Sequence, residues 1–195
     1  TLTYYGALSH YGEDIPLACV GVISKVNILM LGFTLGISQG CQPIFSYNCG
    51  ARQYSRVREA YRKAIVAASI ICCIAFVCFQ LFPRPIVALF DPSGSEEYFQ
   101  FAERYFRIYM FMTLANAFQP ITANFFTSIG KAKRGALIAL TRQVIFLIPL
   151  ILIFPLFLGI DGVMYAGPIA DSAAVVVALA LVTREMKRMP HVDEP

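Results

Sequence analysis

The chain has 195 residues, 57% hydrophobic and 14% charged, with a formal net charge of +4. That balance excludes an ordinary water-soluble domain. Six cysteines without a C-x-x-C pair, beside only two histidines, argue against a zinc site or a disulfide framework.

Residues 1–14 read as the end of a preceding apolar segment and an outer turn. The chain does not begin with Met, which marks it as an expected piece of a longer protein. The first complete span is expected at 15–47, long enough to bend. At 100° per residue, Gly32, Gly36, Gln39 and Pro43 lie within about 40° of Lys25 on one helical face. A charge, an amide and small residues on one face suit a cavity wall or a close helix contact. The alternative is a shallow Lys25 that snorkels to the interface. Gly32, Gly36 and Gly40 form a small-xxx-small repeat for helix packing, and Pro43 removes a backbone donor and favours a bend.

Residues 48–63 carry Arg52, Arg56, Arg58, Arg62 and Lys63. A second span follows at 64–82. The connection 83–103 is acidic, punctuated by Pro83, Pro85 and Pro92, and apolar at 86–90. The third span, 105–128, carries Thr113, Asn116, Gln119, Pro120, Ala123 and Thr127 on one face. Such a stripe looks toward protein or water rather than lipid.

Lys131, Lys133 and Arg134 precede a fourth span at 136–158, in which Arg142 is expected to snorkel to the basic side. A tight outer turn at 159–162 leads to a fifth span, 163–182. Asp171 sits near its middle, where a carboxylate pairs with a donor (Lys25 or a hydroxyl) or handles a proton or cation. The tail 183–195 is basic at Arg184, Lys187 and Arg188.

Lys and Arg are retained on the cytoplasmic side during insertion. The three basic segments therefore predict a multi-pass protein of the cytoplasmic (inner) membrane with a cytoplasmic C-terminus. The runs are continuous rather than alternating, which excludes a β-barrel. The expected fold is an all-α polytopic transmembrane helix bundle. The charges flank membrane spans, so the bilayer and not nucleic acid is the expected partner. No nucleophile elbow, P-loop, dinucleotide fingerprint or H-E-x-x-H occurs, and nothing argues for an enzyme.

The run from Gly36 to Arg52 (GISQGCQPIFSYNCGAR) resembles the G-x-S-Q-G-x-Q-P…Y-N-x-G-A segment of multidrug and toxic compound extrusion (MATE) transporters. Five further stretches resemble that family in order: PIVALF from Pro85, FFTSIGK from Phe125, Arg142-Gln143, GIDGV from Gly159 and PIAD from Pro168. The resemblance implies a protein of twelve transmembrane helices in two six-helix lobes, of which this chain is similar to the second. It implies export of cationic or amphipathic compounds against an inward flow of H⁺ or Na⁺, with no other cofactor and no metal, by alternating access of the lobes. The partner would be the N-terminal lobe of the same protein. Expected cavity contacts are Lys25, Gln39, Asn116, Gln119 and Thr127. The third span has no Asp or Glu, so the resemblance is to the branch whose coupling carboxylate lies in the first lobe. Asp171 matches no cation-site position of the family, and a coupling role for it is a separate hypothesis. The alternatives are a lipid-linked oligosaccharide flippase of related architecture and a non-transporting half-transporter.

Overall fold

The structure, a computed structural model, describes residues 14–90 and 95–190. All regular structure among them is helical. Helix α1 runs Asp14–Gly50, α2 Tyr54–Leu81, α3 Pro83–Phe90 and α4 Glu96–Met110. A 3-10 turn at Phe111–Leu114 leads into α5, Ala115–Ser128. Helix α6, Ala132–Leu140, passes through a π-helical stretch, Thr141–Leu147, into α7, Ile148–Arg188. The expected outer turn 1–14 lies outside the described residues except at its last position.

Two turns at one end of the bundle are closed by the same device. After α1, Gln53 N–H reaches Asn48 O at 2.9 Å and Arg52 N–H reaches Cys49 O at 3.1 Å. After α5, Lys131 N–H reaches Phe126 O at 2.9 Å and Gly130 N–H reaches Thr127 O at 3.2 Å. This pattern requires a left-handed residue just past the helix. Gly130 fills it at φ 77°, without Cβ strain, whereas Arg52 fills it at φ 55°.

Helix α2 begins ten residues before the expected span, so the basic stretch 54–63 is helix and not loop. Val57, Tyr61, Ala64, Ala68 and Cys72 are buried at helical spacing and carry the packed face back to Tyr54. On the other side, Val66, Ile70, Ile74, Val77 and Leu81 form an exposed apolar stripe, as a lipid-facing surface requires. The expected loop 83–90 is the short helix α3. Its prolines sit in the first turn, where a missing N–H costs no bond. Helix α4 starts well before the expected span at 105. Ser95 accepts from Tyr98 N–H at 3.2 Å, Glu96 and Glu97 occupy the first turn, and Arg107 occupies the last.

Helix α7 is helical throughout, yet it doubles back. Asp171 meets Arg142, 29 positions earlier, which a straight helix would hold about 43 Å away. A Cβ on Gly162 would stand 2.5 Å from the carbonyl oxygen of Phe154, so the reversal falls close to these residues. Two membrane-length arms result, Ala132–Phe154 and Tyr165–Arg188. With Ala18–Gly50 and Tyr54–Leu81 they are the four described helices long and apolar enough to cross a bilayer. The expected third span is split by the 3-10 turn and is not among them. Nor does a tail begin at 183: the chain stays helical to Arg188.

The core is divided into two clusters. One gathers α1, α3 and α4 around Ile23, Val87 and Phe106; the other joins α1, α2 and α5 around Phe45, Tyr61 and Phe125. Thr122 Oγ1 spends its proton on Phe118 O at 2.8 Å, so Tyr61 is the donor in the 2.8 Å contact between the two hydroxyls.

Candidate functional site

Helix α1 presents two opposed longitudinal faces. Thr34, Ser38 and Phe45 are buried against the bundle. About 180° away, Lys25, Gly32, Gly36, Gln39, Gly40 and Pro43 are exposed. No atom lies within 4 Å of a Cβ built on Gly32, Gly36 or Gly40. The packing expected of these glycines is therefore not made among the described residues, where the face stands open.

Beside this face, α1, α5, α6 and the π stretch enclose a cleft of about 320 Å³. Gln119, Asn124, Arg142 and Gln143 supply its polar groups. A smaller adjoining cavity of about 130 Å³ shares Arg142 and Gln143 and adds Ser24, Asn27 and Tyr109. Pro149 accounts for the local geometry. It lacks an N–H and its ring crowds the carbonyl four residues back. The preceding turn is widened, with Ile148 N–H bonded to Gln143 O.

The charge that Arg142 brings to the cleft is neutralised by Asp171. Arg142 Nε donates to Asp171 Oδ1 at 2.5 Å, with the side chains 16% and 12% exposed. Arg142 thus does not snorkel, and Asp171 is held by Arg142 rather than by Lys25 or a hydroxyl. In hydrocarbon two isolated charges each cost several kcal/mol, whereas a paired, hydrogen-bonded couple is tolerated.

The expected cavity residues separate. Lys25 and Gln39 belong to the open face. Gln119 lines the cleft, but it is buried and its Nε2 donates to Ile138 O at 3.1 Å, fixing α5 to α6. Thr127 is exposed and donates to Ala123 O at 3.1 Å. The side chain of Asn116 lies outside the described residues. Pro43 is exposed within an unbroken α1.

Several organising contacts were not assigned from the sequence, although Asn124 lies beside the polar stripe read in the third span. Asn124 Nδ2 donates to Ser38 Oγ at 2.7 Å, and Ser38 donates to Pro120 O at 3.3 Å, tying α1 to α5 beside the cleft. Gly135 lets α6 press on α5: its Cβ would stand 2.6 Å from Ala123 O. Glu185, 2% exposed, takes Lys131 on one oxygen and Arg134 on the other. A signal for Glu185 was present, because it continues a buried series with Ala174, Ala178, Val182 and Met189 at three- and four-residue intervals. Among the described residues no cluster of His, Cys, Asp and Glu is arranged to hold a metal.

The MatE family model matches residues 3–153. The multidrug export protein MepA of Staphylococcus aureus (strain MSSA476) is 22% identical over 175 residues, which are 90% of this chain and 38% of that protein. The outward-facing conformation of a multidrug resistance MATE family transporter superposes with a TM-score of 0.89 at 18% identity, over 98% of this chain and 43% of that one. DinF-BH, a MATE multidrug transporter solved in complex with R6G, gives a TM-score of 0.78 at 33% identity, over 85% of this chain and 37% of that one. The chain thus spans about two fifths of the length of these relatives. With an all-α bundle of membrane-length helices and a family match over most of its length, this chain belongs to the MATE family of multi-pass membrane transporters.

Proposed function

We propose that the chain is one lobe of a secondary-active antiporter that exports cationic or amphipathic compounds in exchange for H⁺ or Na⁺. The carrying observation is the face of α1 left uncovered by the described residues, with no atom within 4 Å of a Cβ on Gly32, Gly36 or Gly40 and a polar cleft along one side. A membrane bundle that leaves glycine, amide and charge exposed along its first helix forms one wall of a cavity. A second lobe supplies the other wall, and rocking of the two exposes the cavity to each side in turn. The names of the relatives agree with drug export.

In this reading the cytoplasmic leaflet lies at the end where the basic segments meet. Arg58 reaches Pro190 O there, and Lys131 and Arg134 reach Glu185. Within the lobe, Asp171 is the candidate for proton or cation handling. Its carboxylate is held by the Arg142 guanidinium, so engaging an ion there requires that pair to open. Gln39, together with the amide oxygens of the cleft's Gln119 and Asn124, offers hydrogen bonds to substrate, and the exposed Phe33 supplies adaptable apolar surface.

The test is transport of a fluorescent lipophilic cation into everted vesicles bearing the protein from its complete reading frame, under an imposed H⁺ or Na⁺ gradient. Gradient-dependent accumulation supports the assignment. Accumulation no greater than in vesicles without the protein rejects it. Asp171→Asn with unchanged pH and Na⁺ dependence would leave that residue a structural role only.

A further inference from the structure

A groove of about 520 Å³ runs between α1 and α2, on the flank of α1 opposite the Arg142 cleft. Ile37, Cys41 and Ile44 form one wall, and Ala60, Ala64 and Ala67 form the other. The three alanines keep the α2 wall low, which makes room for an occupant. The helices run antiparallel, so Asn48 and Arg56 share one end while Ile37 and Ala67 share the other. Each wall covers about 16 Å, close to half the ~30 Å of a bilayer core and thus to a single leaflet.

The charged groups sit toward the Asn48 end. Lys63 Nζ lies 2.7 Å from Glu59 Oε1, both well exposed, and Arg56 lines the same groove. Two cations against one carboxylate leave a single positive charge where the apolar walls meet the headgroup region. A free anion from solution would have no use for the apolar walls. An apolar helix would fill the walls but leave the net positive charge of Arg56, Glu59 and Lys63 unanswered. A lipid with a negative headgroup satisfies both.

The geometry points to an acidic phospholipid held between α1 and α2, one acyl chain along Ile37–Ile44 and the phosphate between Arg56 and Lys63. This goes beyond the transport assignment and does not depend on it. The orientation proposed above only decides which leaflet supplies the lipid.

The chain has no tryptophan, so Ile44→Trp provides a reporter in the groove. Val66→Trp provides a control, exposed on α2 outside the groove lining. Each variant is placed in nanodiscs containing brominated phosphatidylglycerol or brominated phosphatidylcholine. Both nanodisc leaflets are alike, so the result is independent of sidedness and of transport. The groove reporter is expected to reach half-quenching at roughly fivefold less phosphatidylglycerol than phosphatidylcholine. Arg56→Gln with Lys63→Gln should abolish that preference, and the Val66→Trp control should show none. Equal quenching by both lipids overturns the proposal in favour of ordinary annular lipid. Quenching of the control but not of the groove reporter overturns it in favour of a protein cover. Native mass spectrometry of the unsubstituted chain is a second readout, unaffected by any folding defect of the reporter. One phosphatidylglycerol retained in preference to phosphatidylcholine supports the site, and no preference rejects it.

Discussion

Arg142 and Asp171 face each other at 2.5 Å across the two arms of one reversing helical segment. The pair pins the π-helical stretch to the arm after Pro168, and its Arg142 lines the polar cleft. Removing one member leaves the other charged and largely buried. Asp171→Ala is expected to destabilise by about 3 kcal/mol, whereas Arg142→Leu with Asp171→Leu costs much less, because no unpaired charge remains. Melting of the purified protein in detergent measures both. Equal losses in the single and double variants would show that the ion pair is not the stabilising contact.

Glycine positions should divide by environment. Gly135→Ala drives a methyl to 2.6 Å from the Ala123 carbonyl and the Thr127 hydroxyl, with backbone on one side. Overpacking of this kind costs about 1–3 kcal/mol. Gly36→Ala meets nothing within 4 Å, so its melting temperature should match the parent. An effect of Gly36→Ala on transport alone would place the α1 face against a second lobe or substrate.

Glu185 is enclosed, but its partners Lys131 and Arg134 are 43% and 38% exposed. On Glu185→Gln the cations can turn to water, so solvent screening limits the loss to about 1–2 kcal/mol. Glu185→Lys puts three positive charges together and should abolish membrane accumulation. Fluorescence-detected size-exclusion chromatography of a tagged chain distinguishes the two outcomes.

Arg52 occupies a left-handed position that glycine adopts freely. Arg52→Gly should therefore stabilise the turn between α1 and α2, by up to about 1 kcal/mol. A fall in melting temperature would instead show that the guanidinium's contacts outweigh the backbone strain.

The helices were legible where apolar runs were long, and their ends were not. Hydropathy marks where lipid is needed. It is blind to Tyr54–Lys63, which is helical because Val57 and Tyr61 pack inward while the arginines lie elsewhere on the helix. The glycine stripe of α1 was readable as a face, but its openness was not, since the same spacing serves a packed interface. Arg142 looked like a snorkelling residue because its partner lies 29 positions away, across a reversal no local pattern reports. Gln119 was recognised as polar within a span, but its bond to the Ile138 carbonyl depends on how α5 meets α6.

The cross-bracing at the basic end has a mechanical corollary. Lys131 and Arg134 lash the α5–α6 turn to the last arm of α7, and Arg58 ties α2 to the Pro190 carbonyl just beyond that arm. Three separate stretches of chain are thereby joined at that end. A displacement of any one of them is therefore passed to the other two through these contacts.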